Sequence, residues 1–126
     1  MKDQEFYICK ICGNIAAKVL DRGTTLSCCG EEMTPLTVNT VDASKEKHVP
    51  VATVEKNKVT VNVGSVDHPM TKEHHITWIY LETEKGGQRK NLSVDAKPHA
   101  TFCIDDDKAR AVFAYCNLHG LWKIDL

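Results

Sequence analysis

Neither sign of charge predominates in this chain: 16 lysines and arginines stand against 17 aspartates and glutamates in 126 residues. That balance gives no sign of a nucleic-acid footprint or of an anionic membrane surface as partner. Long apolar runs are missing too. The longest, such as Ala111–Cys116, falls far short of the roughly 20 residues that a bilayer helix needs. The opening Met1-Lys2-Asp3-Gln4-Glu5 lacks the apolar core of a secretory signal. No repeat or low-complexity tract interrupts the chain. A cytoplasmic protein, engaging neither membrane nor nucleic acid, is the expectation.

What the chain does have is six cysteines and six histidines. Four of the cysteines fall in pairs within the first 29 residues. In a reducing cytosol such clustering reads as metal ligation rather than as disulfides. Composition changes near Pro35, so two domains are expected, 1–36 and 37–126. The first has little to build a core from, and a module that small needs a metal or another staple to fold. Residues 37–48 are polar and read as a linker running into a loop.

From Val49 onward the texture is β. Val59, Val61 and Val63 alternate with Thr60 and Asn62, and Ile76, Trp78 and Tyr80 alternate with Thr77, Ile79 and Leu81. Hairpin turns are expected at Glu55-Lys56-Asn57-Lys58 and Lys85-Gly86-Gly87-Gln88. Further strands are expected at 92–95, 99–104, 109–115 and 121–125. Short strands spaced by turns point to an antiparallel sandwich or barrel. Asp105-Asp106-Asp107 reads as a solvated turn.

Cys9-Lys10-Ile11-Cys12-Gly13 is a knuckle in which two intervening residues let both sulfurs face one ion. Cys28-Cys29-Gly30 supplies the second pair without a spacer. Adjacent side chains tend to point apart, so one ion there should be held with a distorted sulfur–metal–sulfur angle. Four thiolates make a soft tetrahedral site that suits iron or zinc, and the chemistry alone leaves that choice open.

A second cluster is drawn from the remaining histidines and cysteines. Cys116-Asn117-Leu118-His119-Gly120 places a thiolate and an imidazole at a strand end with two residues between them. His68-Pro69-Met70 and His74 flank a short polar loop, and His48 lies in the charged segment Glu46-Lys47-His48-Val49-Pro50. Along a straight strand His68 and His74 would be about 20 Å apart, so they share an ion only if the chain folds back. Four imidazoles and one thiolate fill five positions of an octahedron and leave the sixth for a substrate. A non-enzymatic metal protein using only the four cysteines is the competing reading.

At these motifs the sequence resembles a known family. Cys9 to Asn14 with Cys28-Cys29-Gly30 is similar to the desulforedoxin module. Asn39 to Pro50, His68-Pro69-Met70, His74 and Cys116 to Gly120 resemble the active site of superoxide reductases. The combination, from about residue 7 to residue 123, resembles the two-iron desulfoferrodoxin class. The resemblance implies one iron on Cys9, Cys12, Cys28 and Cys29. It implies a second, catalytic iron with His48, His68, His74 and His119 equatorial and Cys116 axial. It also implies an immunoglobulin-like β domain, a homodimer, and reduction of superoxide to hydrogen peroxide without dioxygen release. Electrons would come from a rubredoxin-like donor, typically in anaerobes. Lys47 would draw in the superoxide anion, and Glu46 would bind the ferric iron after product leaves. His75 stands where the family has an aromatic residue, and Leu121 and Ile124-Asp125-Leu126 also depart from the pattern. Cys103 has no role in this scheme and is expected to be a buried strand residue.

Overall fold

The computed structural model describes residues 3–126, so the first two residues of the expected N-terminal domain lie outside it. The chain divides into two compact units, the first running to Thr37 and the second spanning Val38–Leu126.

The first unit is made of fragments. Strands β1 (Tyr7–Ile8), β2 (Ile15–Ala16) and β5 (Thr34–Pro35) form one small sheet in the order β2-β1-β5, and β3 (Ser27–Cys28) pairs with β4 (Glu31–Glu32). None of these strands exceeds two residues. Among its described residues only Phe6 and Cys9 are buried. Too little apolar surface is removed from water here to offset the ordering of the backbone.

The second unit opens with a single helical turn, α1 (Lys45–His48), followed by β6 (Pro50–Glu55) and β7 (Lys58–Val63). Then come β8 (Ile76–Thr83), β9 (Gly86–Asn91), β10 (His99–Cys103), β11 (Ala109–Cys116) and β12 (Gly120–Asp125). They form two antiparallel sheets, β10-β7-β6 and β12-β11-β8-β9. Three strands plus four is the count of a constant-type immunoglobulin sandwich, as expected. Val59, Val61 and Val63 from β7 and Ala100 and Phe102 from β10 meet Ile79 and Leu81 from β8 and Val112, Ala114 and Cys116 from β11. Strand alternation sends every second residue of these segments inward.

On β8, Ile79 and Leu81 rather than Trp78 and Tyr80 point into that core. Trp78 instead stacks on Tyr115, with ring centroids 5.7 Å apart. The register explains how Ile76 still faces inward. Tyr115 opposes Trp78 but Cys116 opposes Ile76, so Thr77 is the extra residue of a bulge. The bulge sets an apolar side chain, not a threonine, opposite the Cys116 thiol.

Three expectations need correction. Residues 92–95 are not a strand. The partner of β8 is Gly86–Asn91, because the hairpin closes with Thr83 opposite Gly86 and needs only Glu84 and Lys85 as its loop. The two glycines read as a turn are thus in the ladder, and Gly87 is there because a Cβ would collide with the Tyr80 ring. Secondly, the segment before Val49 is not all loop, since Lys45–His48 closes on the Ser44 carbonyl through the His48 N–H at 3.2 Å. Thirdly, Cys103 is exposed. Ala100 and Phe102 take the inward positions of β10, which leaves His99 and Cys103 on the outer face.

Candidate metal centres

Both clusters read from the sequence come together in space. In the first unit the sulfurs of Cys9, Cys12, Cys28 and Cys29 all lie within 4.8 Å of one another, and none is in a disulfide. The knuckle closes through hydrogen bonds from the Gly13 N–H to the Cys9 carbonyl and from the Cys9 N–H to the Asn14 carbonyl, each 2.8 Å. Sulfur separations are 3.6 Å for Cys12–Cys28 and 3.9 Å for Cys28–Cys29. A tetrahedron with metal–sulfur bonds of about 2.3 Å needs about 3.8 Å. The adjacent pair therefore meets the requirement with little distortion, since Cys29 adopts a left-handed φ of 53° that turns its side chain back.

The protonation of these thiols reflects the crowding. Backbone N–H groups, that of Cys12 foremost, hold Cys9 down at about 7. Cys29 is pushed up to about 12, by Cys12 first and then by Cys28 and Cys9. Four sulfurs this close cannot all ionise without a cation among them, which is how the donor set fits a metal.

In the second unit each donor arrives from a different element. His48 ends α1, His68 follows β7, His74 precedes β8, Cys116 ends β11, and His119 lies in the turn to β12. Donor atoms of His48, His68, His74 and Cys116 lie within 4.8 Å of one another. His119 joins them through Nδ1, which is 3.0 Å from His48 Nε2 and 3.8 Å from Cys116 Sγ. Neighbouring rings stand nearly perpendicular: His48 to His68 at 81°, His68 to His74 at 81°, His74 to His119 at 76° and His119 to His48 at 84°. His48 and His74 face each other across the group, 6.1 Å apart and tilted by only 32°. The result is a ring of four imidazoles, with the chain folded back between His68 and His74 as a shared ion requires.

The hydrogen bonds fix which ring nitrogens are free. His48 Nδ1 lies 2.6 Å from the Ser44 carbonyl and His68 Nδ1 lies 2.7 Å from the Pro69 carbonyl. A carbonyl only accepts, so both Nδ1 atoms carry the proton and both Nε2 atoms present lone pairs. Those lone pairs face each other at 3.1 Å with no proton to share. His74 Nε2 is buried without a hydrogen-bond partner. Unpartnered donors converging on one point are what a metal ion satisfies, and 3.0–3.1 Å is the spacing of neighbouring ligands with bonds of about 2.1 Å.

Burial favours the uncharged imidazoles that a metal needs. It holds His68 down at about 4 and also lowers His48 and His74. Burial raises the Cys116 thiol, opposed by the backbone N–H groups of Leu118 and His119. Trp122 packs its ring 5.0 Å from that of His48.

Glu46 and Lys47 ride on α1, Glu46 exposed and Lys47 half-buried. The Lys47 charge is near enough to depress both His48 and His74. His75 lies beside the cluster but turns away, its Nδ1 3.0 Å from the Thr71 carbonyl.

Two supporting residues escaped the sequence reading. Thr71 closes the His74 loop, with its N–H 2.9 Å from the His74 carbonyl and its Oγ1 3.1 Å from the His74 N–H. A threonine three residues before a donor histidine was the available signal. Gly64 packs against α1 so closely that a Cβ would lie 2.5 Å from the Glu46 carbonyl oxygen and 2.8 Å from that of Val49. Nothing in the sequence announced that approach.

The family model described as desulfoferrodoxin, N-terminal domain, matches residues 1–36, and the one described as desulfoferrodoxin matches residues 40–125. A desulfoferrodoxin homolog from Archaeoglobus fulgidus is 45% identical over 119 residues, 94% of each chain. The crystal structure of the superoxide reductase from Treponema pallidum is 40% identical, with a TM-score of 0.82, covering 98% of this chain and 99% of that one. A superoxide reductase (1Fe-SOR) from Giardia intestinalis is 34% identical with a TM-score of 0.56, covering 65% of this chain and 98% of its own. The likeness runs through both metal-binding regions, and the chain belongs to the desulfoferrodoxin family.

Proposed function

We propose that this protein is a superoxide reductase carrying two irons, one in each unit, with residues 1–36 as the small iron domain and 37–126 as the catalytic one. The observation that carries the reading is the convergence of unpartnered imidazole lone pairs on a buried thiol in the second unit. Five donors leave one of six positions for a small ligand, and the nitrogen-rich set with one sulfur suits a redox iron.

When bound, iron there supplies one electron; two protons from solvent complete the conversion of superoxide to hydrogen peroxide. The residues prepare that transfer. Ser44 and Pro69 hold the His48 and His68 rings in the donor tautomer. Cys116, wholly buried, gives a thiolate shielded from water, whose electron donation favours reduction of an oxygen species over its oxidation. That bias separates reduction from dismutation. Lys47 offers a positive charge beside the site to draw in the anion. Glu46, exposed on the same turn, supplies a carboxylate for the open position once product has left.

The N-terminal centre relays electrons or stabilises its unit. A rubredoxin-like donor, a homodimeric assembly and a cytoplasmic setting complete the proposal. Among the described residues no helix is long and apolar enough to cross a membrane. Metal analysis with visible spectra before and after oxidation tests the first part, expecting two irons per chain and a thiolate-to-iron band separate from the four-cysteine spectrum. Pulse-generated superoxide tests the second: peroxide forms without matching dioxygen. One metal per chain, or dioxygen in step with peroxide, overturns it.

A further inference from the structure

Three histidines at or beside the second site, His48, His68 and His75, set Nδ1 against a backbone carbonyl, yet only two of these are donor rings. His48 and His68 are each held by a backbone carbonyl on the ring nitrogen away from the cluster. His74 has no such support: among the described residues no hydrogen bond orients its ring, and its Nε2 has no partner. Its placement depends on its backbone and on packing against the His68 and His119 rings.

That backbone is gripped by one side chain. Asn117 accepts from the His75 N–H through Oδ1 at 2.9 Å and donates from Nδ2 to the Glu73 carbonyl at 2.9 Å. The Asn117 N–H also reaches the His75 carbonyl at 3.2 Å. Residues 73 and 75 are the two neighbours of His74, so a single planar amide ties the chain on both sides of it. The direction of the amide is unambiguous, because the backbone N–H must meet the oxygen and the backbone carbonyl must meet the NH₂. Asn117 itself lies between Cys116 and His119 in the turn from β11 to β12.

We infer that Asn117 is a positioning residue: its side-chain amide locks the His74 loop to the Cys116–His119 turn and so sets where the His74 ring meets the other four donors. The inference rests on the reading that His74 is an iron ligand. Alanine at 117 removes both side-chain bonds. Aspartate keeps the acceptor for the His75 N–H but turns an oxygen toward the Glu73 carbonyl, so it restores half of the clamp at most. Glutamine carries the same amide, but one methylene further from the backbone.

The experiment uses the full chain loaded with both irons, and compares Asn117→Ala, Asn117→Asp and His74→Ala with the parent. Three readouts are taken: the rate of iron loss from the second centre to a chelator, the thiolate-to-iron band of the oxidised protein, and its iron electron paramagnetic resonance. Asn117→Ala is expected to lose that iron roughly 10-fold faster, in line with the effect of ligand-orienting partners. Its band and resonance should shift, with the four-cysteine spectrum unchanged and Asn117→Asp falling between. Because Asn117 is exposed, the alanine variant should fold; if it does not, the aspartate variant alone must show the shifts for the inference to stand. Parent-like iron loss, band and resonance in the Asn117 variants, alongside a disturbed His74→Ala, overturn the inference but leave His74 as a ligand. An undisturbed His74→Ala overturns the ligand reading itself.

Discussion

The two centres are built on opposite plans. In the first unit the metal donors are the framework: two-residue strands, a knuckle closed by two hydrogen bonds and only Phe6 and Cys9 buried. In the second unit the framework comes first. A core with Val59, Val61, Phe102, Ile79, Leu81 and Val112 fully buried is built from apolar side chains, and the donors come from α1, from the loops and turns beside its strands and from the end of β11. On the proposed reading, a metal in the first unit would serve as a staple and one in the second as a reagent. Where burial supplies the stability, the ligand geometry is free to be set by chemistry.

Removing the staple should have the largest effect. Cys12→Ser is expected to lose the first iron and leave residues up to Thr37 unfolded, as amide exchange would report, while the melting of the second unit is unchanged. Fast superoxide reduction should persist, since every residue assigned to it lies in the second unit, Val38–Leu126. Protection retained in the first unit would place that unit's stability somewhere other than its metal.

Cys116→Ser reverses the pattern. The four-cysteine spectrum should survive and superoxide reduction should be abolished, because serine is a harder and poorer donor. Near-normal turnover with an unchanged second spectrum would remove Cys116 from the ligand set.

Gly64→Ala probes the framework behind the second centre. A methyl group 2.5 Å from the Glu46 carbonyl must push α1, and backbone cannot yield as a flexible side chain does. A loss of about 3 kcal/mol in denaturant unfolding is expected, together with a perturbed second-site spectrum. An unchanged midpoint would mean that α1 is free to shift.

Lys47→Ala should be the mildest and should touch only the encounter. Opposite unit charges about 5 Å apart attract by about 1 kcal/mol in water-like surroundings and about 3 at an effective dielectric near 20. The second-order rate constant is therefore expected to fall roughly 5- to 100-fold at low salt, and the deficit to shrink as ionic strength rises. An unchanged rate at low salt, with both irons bound, would leave Lys47 without a part in catalysis.

Much of this arrangement was legible in the sequence where the signal is local. The Cys9–Cys12 knuckle, the Cys116 to Gly120 turn and the alternation of Val59, Val61 and Val63 are each complete within a few residues. What failed was set by partners distant in sequence. Gly86 and Gly87 looked like a turn because their place in the ladder depends on Thr83 and on the space that Tyr80 occupies. The inward face of β8 was ambiguous because both parities carry apolar or aromatic side chains, Ile76, Trp78 and Tyr80 on one and Ile79 and Leu81 on the other, and the bulge at Thr77 shifts the pattern. α1 is too short to carry a periodic signal and forms because Ser44 receives both the backbone and the ring N–H of His48. Cys103 was misjudged because burial was inferred from residue type, whereas strand parity with Phe102 decides it.

The turn from β11 to β12 has a further consequence, for time rather than for affinity. Cys116 is paired with Gly120 across the ladder, and Gly120 takes a φ of 78°, so Cys116 and His119 are held at one tight turn with only Asn117 and Leu118 between them. Two donors so joined behave as a chelating arm. When either lets go of an ion, the other keeps it at the effective concentration of a short tether, and recapture is intramolecular. Escape needs both donors to be open at once, and the hairpin makes that coincidence rare. The ladder that buries the thiol therefore also governs how long a metal stays, and makes exchange with outside chelators slow even where each single bond is labile.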